Sequence, residues 1–238
     1  MKEILKLDGL QVDVTIKDIK NIHLSVYPPA GKVRISAPKH MRPSAIKAFV
    51  LSKLDWIRKQ RKKVIEQDRE TRRDYVSRES HYLWGERYLL KVVELNDQPR
   101  VQRKHSQLVL QVRPRADWIK RHDLMSSFYR NELRTKSATL ISNWEPQLGV
   151  SVSRLFVQQM KTQWGSCNPM AGNIRLNVEL AKKPVECLEY ILVHEMVHLI
   201  EPTHSQRFVK LMNRYMPQWS ERREALNRLP VKHEDWRY

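Results

Sequence analysis

The chain has 238 residues, enough for one large domain or two small ones with a real core. It carries 44 Lys and Arg against 26 Asp and Glu, a formal net charge of +18, so its surface favours polyanionic partners such as nucleic acid, nucleotides or an acidic face. Two cysteines outside any CxxC pair, no apolar run of membrane-span length and an N-terminus (MKEILKLDGLQVDV) without an apolar signal core argue against a disulfide framework, a membrane partner and secretion, so a cytoplasmic location is expected.

In chain order, period-2 alternation comes first. Leu10, Val12, Val14 and Ile16 share one face. Ile22, Leu24 and Val26 repeat the pattern before a Pro-Pro-Ala-Gly turn, and Val33 and Ile35 resume it, which predicts antiparallel strands. Pro43 opens a helix in which Ile46, Phe49, Val50, Leu54 and Ile57 recur at helical spacing, running to Gln67. The basic charge concentrates between Trp56 and Arg78. Its densest part, Arg58, Lys59, Arg61, Lys62 and Lys63, reads either as a solvated helix face or as a polyanion contact.

A second strand-rich block holds HYLWGERYLLKVVEL and QLVLQVRP, with turns at Gly85 and between Asn96 and Gln107. A long helix begins near Asp117 and is expected to stop at Pro146 or earlier. VSVSRLFVQQM is a further strand, and TQWGSCNPMAGNIRLNVEL reads as two strands around an Asn-Pro-Met-Ala-Gly loop. Pro184 opens a helical remainder that reaches about Leu229, and PVKHEDWRY reads as a surface tail. No internal repeat is visible. The expected fold class is α+β: an antiparallel β-rich N-terminal region with a long basic helix at 1–115, and a region at 116–238 with a buried helix beside a β-hairpin, the two packed as one unit.

The stretch ILVHEMVHLIEPTH holds the chemistry. His194 and His198 are four apart, so on a helix both rings leave one face a turn apart and can grip one zinc ion. Glu195 is rotated off that face, where a carboxylate can reach a water held by the metal and act as general base. The helix is apolar nearly all round, hence buried, and buried His and Glu are costly unless something compensates them. A metal does so; a hydrogen-bonded pair of core histidines is the rival reading. Pro202 is expected to end the helix, and Thr203 with Gln206 has the spacing of a capping box for the next one. That places His204 in a first turn from which its ring can fold back as third ligand, with Glu201, Glu221 and Glu224 as rivals. Three histidines and an open fourth position describe a catalytic zinc site.

Here the sequence resembles a family. The WGSC…G.I.LN hairpin, the Pro-led helix with HExxH and the HSxxF that follows are similar to the YgjP-like or SprT-like minimal zinc metallopeptidases. HLSVYPPAGKVRISAP and the WI of the next helix extend the likeness over most of the chain. The resemblance implies a zincin-like catalytic half, zinc on His194, His198 and His204, and Glu195 as base. EPTH stands where relatives more often carry an Asn before the His, and the ligand spacing is kept. In such folds a sheet edge runs beside the active helix, and an extended peptide can add to it as one more strand. Gly165 and Gly172 allow close backbone approach, and Gly165, Asn173, Arg175 and Asn177 are the expected substrate contacts. Trp164 and Cys167 read as packing residues.

The expected function is therefore zinc-dependent hydrolysis of a polypeptide substrate. Two alternatives stand beside it. One is a nucleotide phosphohydrolase (a nucleoside triphosphate pyrophosphatase) on the same site, with the basic surface contacting phosphates. The other is a nucleic-acid-binding protein whose zinc site is vestigial.

Overall fold

The computed structural model describes residues 2–27, 30–66, 70–160 and 163–230. The Pro-Pro pair of the first turn, residues 67–69 of the basic run, and the tail beyond Pro230 with its expected surface placement lie outside them. The described residues fall into two compact units, one within 2–70 and one within 71–230.

In the first unit, β1 (Lys2–Leu7), β2 (Leu10–Lys17), β3 (His23–Tyr27) and β4 (Lys32–Pro38) form a sheet of order β1-β2-β4-β3. The alternating Val12, Val14, Val33 and Ile35 bury one face against Ile46, Val50 and Ile57 of two helices, α1 (Pro43–Ser52) and α2 (Leu54–Glu66). Three expectations change here. β1 is an additional strand. β2 and β4 pair in parallel, not antiparallel, because β4 enters between β2 and β3. The single helix is broken at Lys53, whose N–H donates to the Val50 carbonyl while the Ser52 hydroxyl takes that of Phe49.

In the second unit, β5 (Ser80–Leu83), β6 (Glu86–Glu94), β7 (Arg100–Lys104) and β8 (Gln107–Val112) form a sheet of order β5-β6-β8-β7. β7 lies inside the stretch expected to be a turn. The pairing directions reproduce those of the first sheet: first with second antiparallel, second with fourth parallel, third with fourth antiparallel. The first turns correspond too. Asp8-Gly9 and Trp84-Gly85 hold φ of 49° and 70°, and of 53° and 83°, the paired positive values of a tight two-residue hairpin. The chain thus contains a topological repeat that no sequence periodicity displays.

Asp117 caps α3 (Trp118–Leu148), its side chain accepting from Lys120 N–H at 2.9 Å. The helix runs through Pro146, contrary to expectation. A proline in the last turn removes one ladder bond only, and Gly149, left-handed at φ 66°, closes the helix onto the Glu145 carbonyl. Next comes a three-stranded sheet of β9 (Arg154–Gln158), β10 (Gly165–Asn168) and β11 (Asn173–Asn177) in the order β10-β11-β9, so β10 is an edge. A 3-10 turn (Val178–Lys182) leads into α4 (Val185–Val197), α5 (Gln206–Tyr215) and α6 (Trp219–Arg228). The strands between 80 and 112, grouped with the N-terminal region in the sequence, bury Leu83, Leu90, Leu108 and Leu110 in the same core cluster as Leu188, Leu192 and Met196 of α4. Among the described residues no helix is long and apolar enough to cross a membrane.

Candidate metal centre

α4 is a core helix: Leu188, Leu192, Val193, Met196 and Val197 are fully buried. Its last turn sends out His194, and His198 caps it, with ring centroids 4.9 Å apart. The helix ends at Val197, before the expected stop at Pro202. Leu199 and Ile200 donate to the Met196 and Val197 carbonyls at 3.0 and 2.9 Å, tightening the chain into a 3-10-type turn. That turn carries the Glu201 carbonyl to 3.0 Å from His198 Nδ1.

The expected Thr203–Gln206 capping box is not formed. Ser205 caps α5 by accepting from Phe208 N–H, while the Thr203 hydroxyl donates to Glu201 Oε1 at 2.8 Å. His204 therefore precedes the cap and swings back freely. Its Nε2 lies 3.0 Å from His194 Nε2, and its centroid 4.6 Å from that of His198. The three rings offer nitrogens all within 4.8 Å of one another. Phe208 packs on all three, at 4.9, 4.6 and 4.8 Å between centroids, and makes an apolar wall. None of the rival carboxylates joins them: Glu201 is engaged by Thr203, Glu224 faces Arg228 at 3.4 Å, and Glu221 is exposed.

The donor set fits a borderline-soft dication. A carbonyl oxygen only accepts, so His198 Nδ1 is the donor here and Nε2 is the nitrogen left to ligate. Burial, with His198 and His204 close by, pushes His194 down to about 3, and His204 is lowered as well, mainly by burial. Both are neutral and ready to ligate at pH 7. His194 Nδ1 is buried with no hydrogen-bond partner among the described residues. Three imidazoles and no carboxylate match zinc, not magnesium or calcium.

Glu195 leaves α4 on a different side and lies against β10. A Cβ built on Gly165 would stand 2.8 Å from Glu195 Oε1 and 2.9 Å from both Glu195 Cγ and Ile191 Cγ2. The residue is 5% exposed, and its carboxyl has no hydrogen-bond partner among the described residues and is raised by burial to about 8. Such a group exchanges a proton near neutral pH. Cys167 is pushed up to about 11 by burial and by Glu195, so it stays a thiol and a packing residue.

The remaining predicted contacts separate. The register pairs Gly165 with Leu176 and Cys167 with Ile174, and so puts the Gly165 side of β10 on the core face. Arg175 stands on the other face, its guanidinium 5.6 Å over Phe156, and Asn173 alternates with it there. Asn177 is buried and donates to the Met160 and Gln163 carbonyls, both at 2.9 Å, so it holds a loop. Of the four, the structure brings only Gly165 to Glu195. In the basic helix, Arg58 pairs with Asp8 and Asp55, Arg61 donates to the Gly31 carbonyl at 3.1 Å, and Lys62 faces Glu66. Lys59 and Lys63 are left without an acidic partner among the described residues. One residue near the triad was missed. Arg223 of α6 is felt electrostatically by His194, His204 and Tyr190. In so basic a chain, only its spacing from Trp219 and Leu226 could have marked it.

Comparison with known proteins matches residues 20–229 to the family described as YgjP-like, metallopeptidase domain. Two solved structures are similar over a shorter stretch. The metallopeptidase zymogen of Pyrococcus abyssi abylysin is 22% identical, with 38% of this chain and 90% of that chain covered at a TM-score of 0.36. The zymogen of Methanocaldococcus jannaschii jannalysin is 20% identical, with 38% and 92% covered at 0.34. No protein with a curated description matches.

Proposed function

Since the chain belongs to the YgjP-like metallopeptidase family, we propose that it hydrolyses peptide bonds with one zinc on His194, His198 and His204 and with Glu195 as general base. The observation that carries this reading is the meeting of three imidazole nitrogens within 4.8 Å beside a buried, unpaired carboxyl. When bound, zinc would supply Lewis acidity toward the scissile carbonyl and the attacking water. Glu195 accepts the proton from that water at a carboxylate oxygen and returns it to the leaving amide nitrogen. Gly165 and Ile191 crowd the carboxyl and limit bulk water around it. The substrate chain lies along the β10 edge as an added strand, with Gly165 permitting close approach. We keep the catalytic region at 116–238, supported by the strands between 80 and 112 that share its core.

Elemental analysis and a substrate screen test this together. Purified protein should carry one zinc per chain and cleave casein but not nucleoside triphosphates. His194→Ala and His198→Ala should each lose the metal, and full retention in both would end the ligand assignment. His204→Ala should weaken binding as well. If Glu221→Ala or Glu224→Ala did so instead, the third ligand would be a carboxylate. Hydrolysis of nucleotides alone would move the site to phosphoanhydride chemistry.

The basic helix supports a smaller proposal. Lys59 and Lys63, one turn apart on α2, are free to contact a polyanion. On duplex DNA each phosphate contact adds about −0.9 to the log–log salt slope. Charge reversal at both positions should flatten the slope by up to about 1.8. A slope that does not move would leave α2 as solvated surface.

A further inference from the structure

Trp219, Arg223 and Leu226 occupy one stripe of α6, at the i, i+4, i+7 spacing of a helix face. Trp219 and Leu226 pack into the core cluster that contains α4, so the stripe faces α4. The orientation is held by Arg222, whose Nη1 donates to Glu189 of α4 at 2.6 Å. Arg223 thus rises from a buried stripe yet ends in solvent. Its positive charge is felt at Tyr190 and His194 on α4 and at His204 before α5.

The other arginines of α6 are matched, Arg222 with Glu189 and Arg228 with Glu224. Arg223 has no hydrogen bond or ion pair among the described residues. Of the two acids within the His194–His204 span, Glu195 is buried against β10 and Glu201 turns to Thr203. An exposed cation on the face of α6 turned to α4, whose charge reaches His194 and His204 and which has no anion among the described residues, has room for one delivered from outside. A guanidinium presents two parallel N–H donors, the geometry of a carboxylate.

We propose that Arg223 is a specificity residue that binds a carboxylate of the peptide substrate, either its C-terminal carboxylate or an Asp or Glu side chain near the scissile bond. The assignment rests on the peptidase reading above. It makes the enzyme prefer an anionic group at one fixed distance from the cleaved bond. The preference comes from a charge-assisted contact that is desolvated only in part, so it should be modest in size.

The test uses zinc-loaded full-length protein and peptides that differ in one group. One arm compares a free C-terminus with its amide. The other compares Asp or Glu with Asn or Gln at positions flanking the scissile bond. The wild type should favour the best carboxylate peptide by about tenfold in kcat/KM, mainly through KM. In Arg223→Gln that ratio should collapse to about one, in Arg223→Lys it should be partly kept, and in Arg223→Glu it should reverse toward Lys-bearing peptides. The arm that carries the preference identifies which carboxylate is held. A second readout avoids turnover: calorimetry of an acetylated dipeptide with a free carboxyl on Glu195→Gln, with and without Arg223→Gln. Binding should weaken about tenfold without the arginine. Cleavage with no carboxylate preference, or an equal loss on neutral and anionic peptides, overturns the proposal and leaves the peptidase reading intact. Cleavage of no peptide overturns the peptidase reading, and the calorimetry then decides whether Arg223 holds a carboxylate.

Discussion

Glu195→Gln is expected to give a folded, zinc-loaded protein whose peptide hydrolysis falls by about 10²–10⁴-fold, the usual contribution of general acid–base catalysis. The amide keeps the shape of the side chain in its niche between Gly165 and Ile191 and cannot take a proton. The same variant has a signature in the metal-free protein. Burial raises the Glu195 carboxyl from 4.5 to about 8, so the metal-free fold holds a proton that the unfolded chain releases above 4.5. A raised carboxyl contributes its full stability below the unfolded value and loses it as pH climbs to the folded one. The metal-free wild type should therefore lose stability between pH 4.5 and about 8, by an amount on the order of a few kcal/mol, and Glu195→Gln should not. At pH 4 the two should melt alike. Beside a bound dication the ionised form is favoured instead, and the difference should shrink on loading with zinc. An active Glu195→Gln enzyme would refute the base. A variant that lost its zinc would show that Glu195 holds the site together.

The two levels of structure were unequally readable in the chain. The spacing of His194 and His198 on an apolar helix is a local signal whose rival is a hydrogen-bonded core pair, and the return of His204 was expected from a Thr203–Gln206 capping box that the structure replaces with a Ser205 cap. The device that orients His198 could not be read, because it is a backbone carbonyl, that of Glu201, and carbonyls carry no residue code. β1 escaped because KEILKL lacks clean alternation and leaves Ile4 exposed while Leu5 packs on the core. The parallel pairing of β2 with β4 and of β6 with β8 is a non-local choice that alternation within a strand cannot express. The repeat of the two sheets is hidden for the same reason: equal topology needs equal turns and equal burial, not equal residues. Only the glycines of Asp8-Gly9 and Trp84-Gly85 are common to the two first turns. The basic run misled in a different way. Counting cations on α2 cannot show that Arg58, Arg61 and Lys62 are engaged by Asp8, the Gly31 carbonyl and Glu66.

Gly165→Ala is expected to lower hydrolysis by about 10²-fold or more while zinc stays bound, because it moves the base and leaves the ligands alone. The backbone does not object to the change: Gly165 is a strand residue without positive φ, and an alanine there would by itself gain about 0.4–1 kcal/mol from the unfolded state. What objects is space. The new methyl would meet Glu195 Oε1 at 2.8 Å and Glu195 Cγ and Ile191 Cγ2 at 2.9 Å, closer than carbon atoms pack. Oε1 can rotate away, but Cγ and the Ile191 branch are fixed on a buried helix, so either the carboxyl is driven from its place or β10 is pushed outward. Overpacking of this kind costs about 1–3 kcal/mol, against which the gain in the unfolded state is small. Either displacement separates the carboxylate from the water it must deprotonate, and the β10 edge from the peptide it must pair with. The three atoms nearest a Cβ at Gly165 belong to Glu195 and Ile191 and not to His194, His198 or His204, so the metal content should be that of the wild type. Zinc analysis, a thermal midpoint and kcat/KM on one casein-derived peptide separate the outcomes. A stable, zinc-loaded and nearly inactive Gly165→Ala confirms that β10 positions Glu195. Full activity would show that the close packing of Gly165 on Glu195 has no part in catalysis, and loss of zinc would mean that β10 supports the histidines as well as the base.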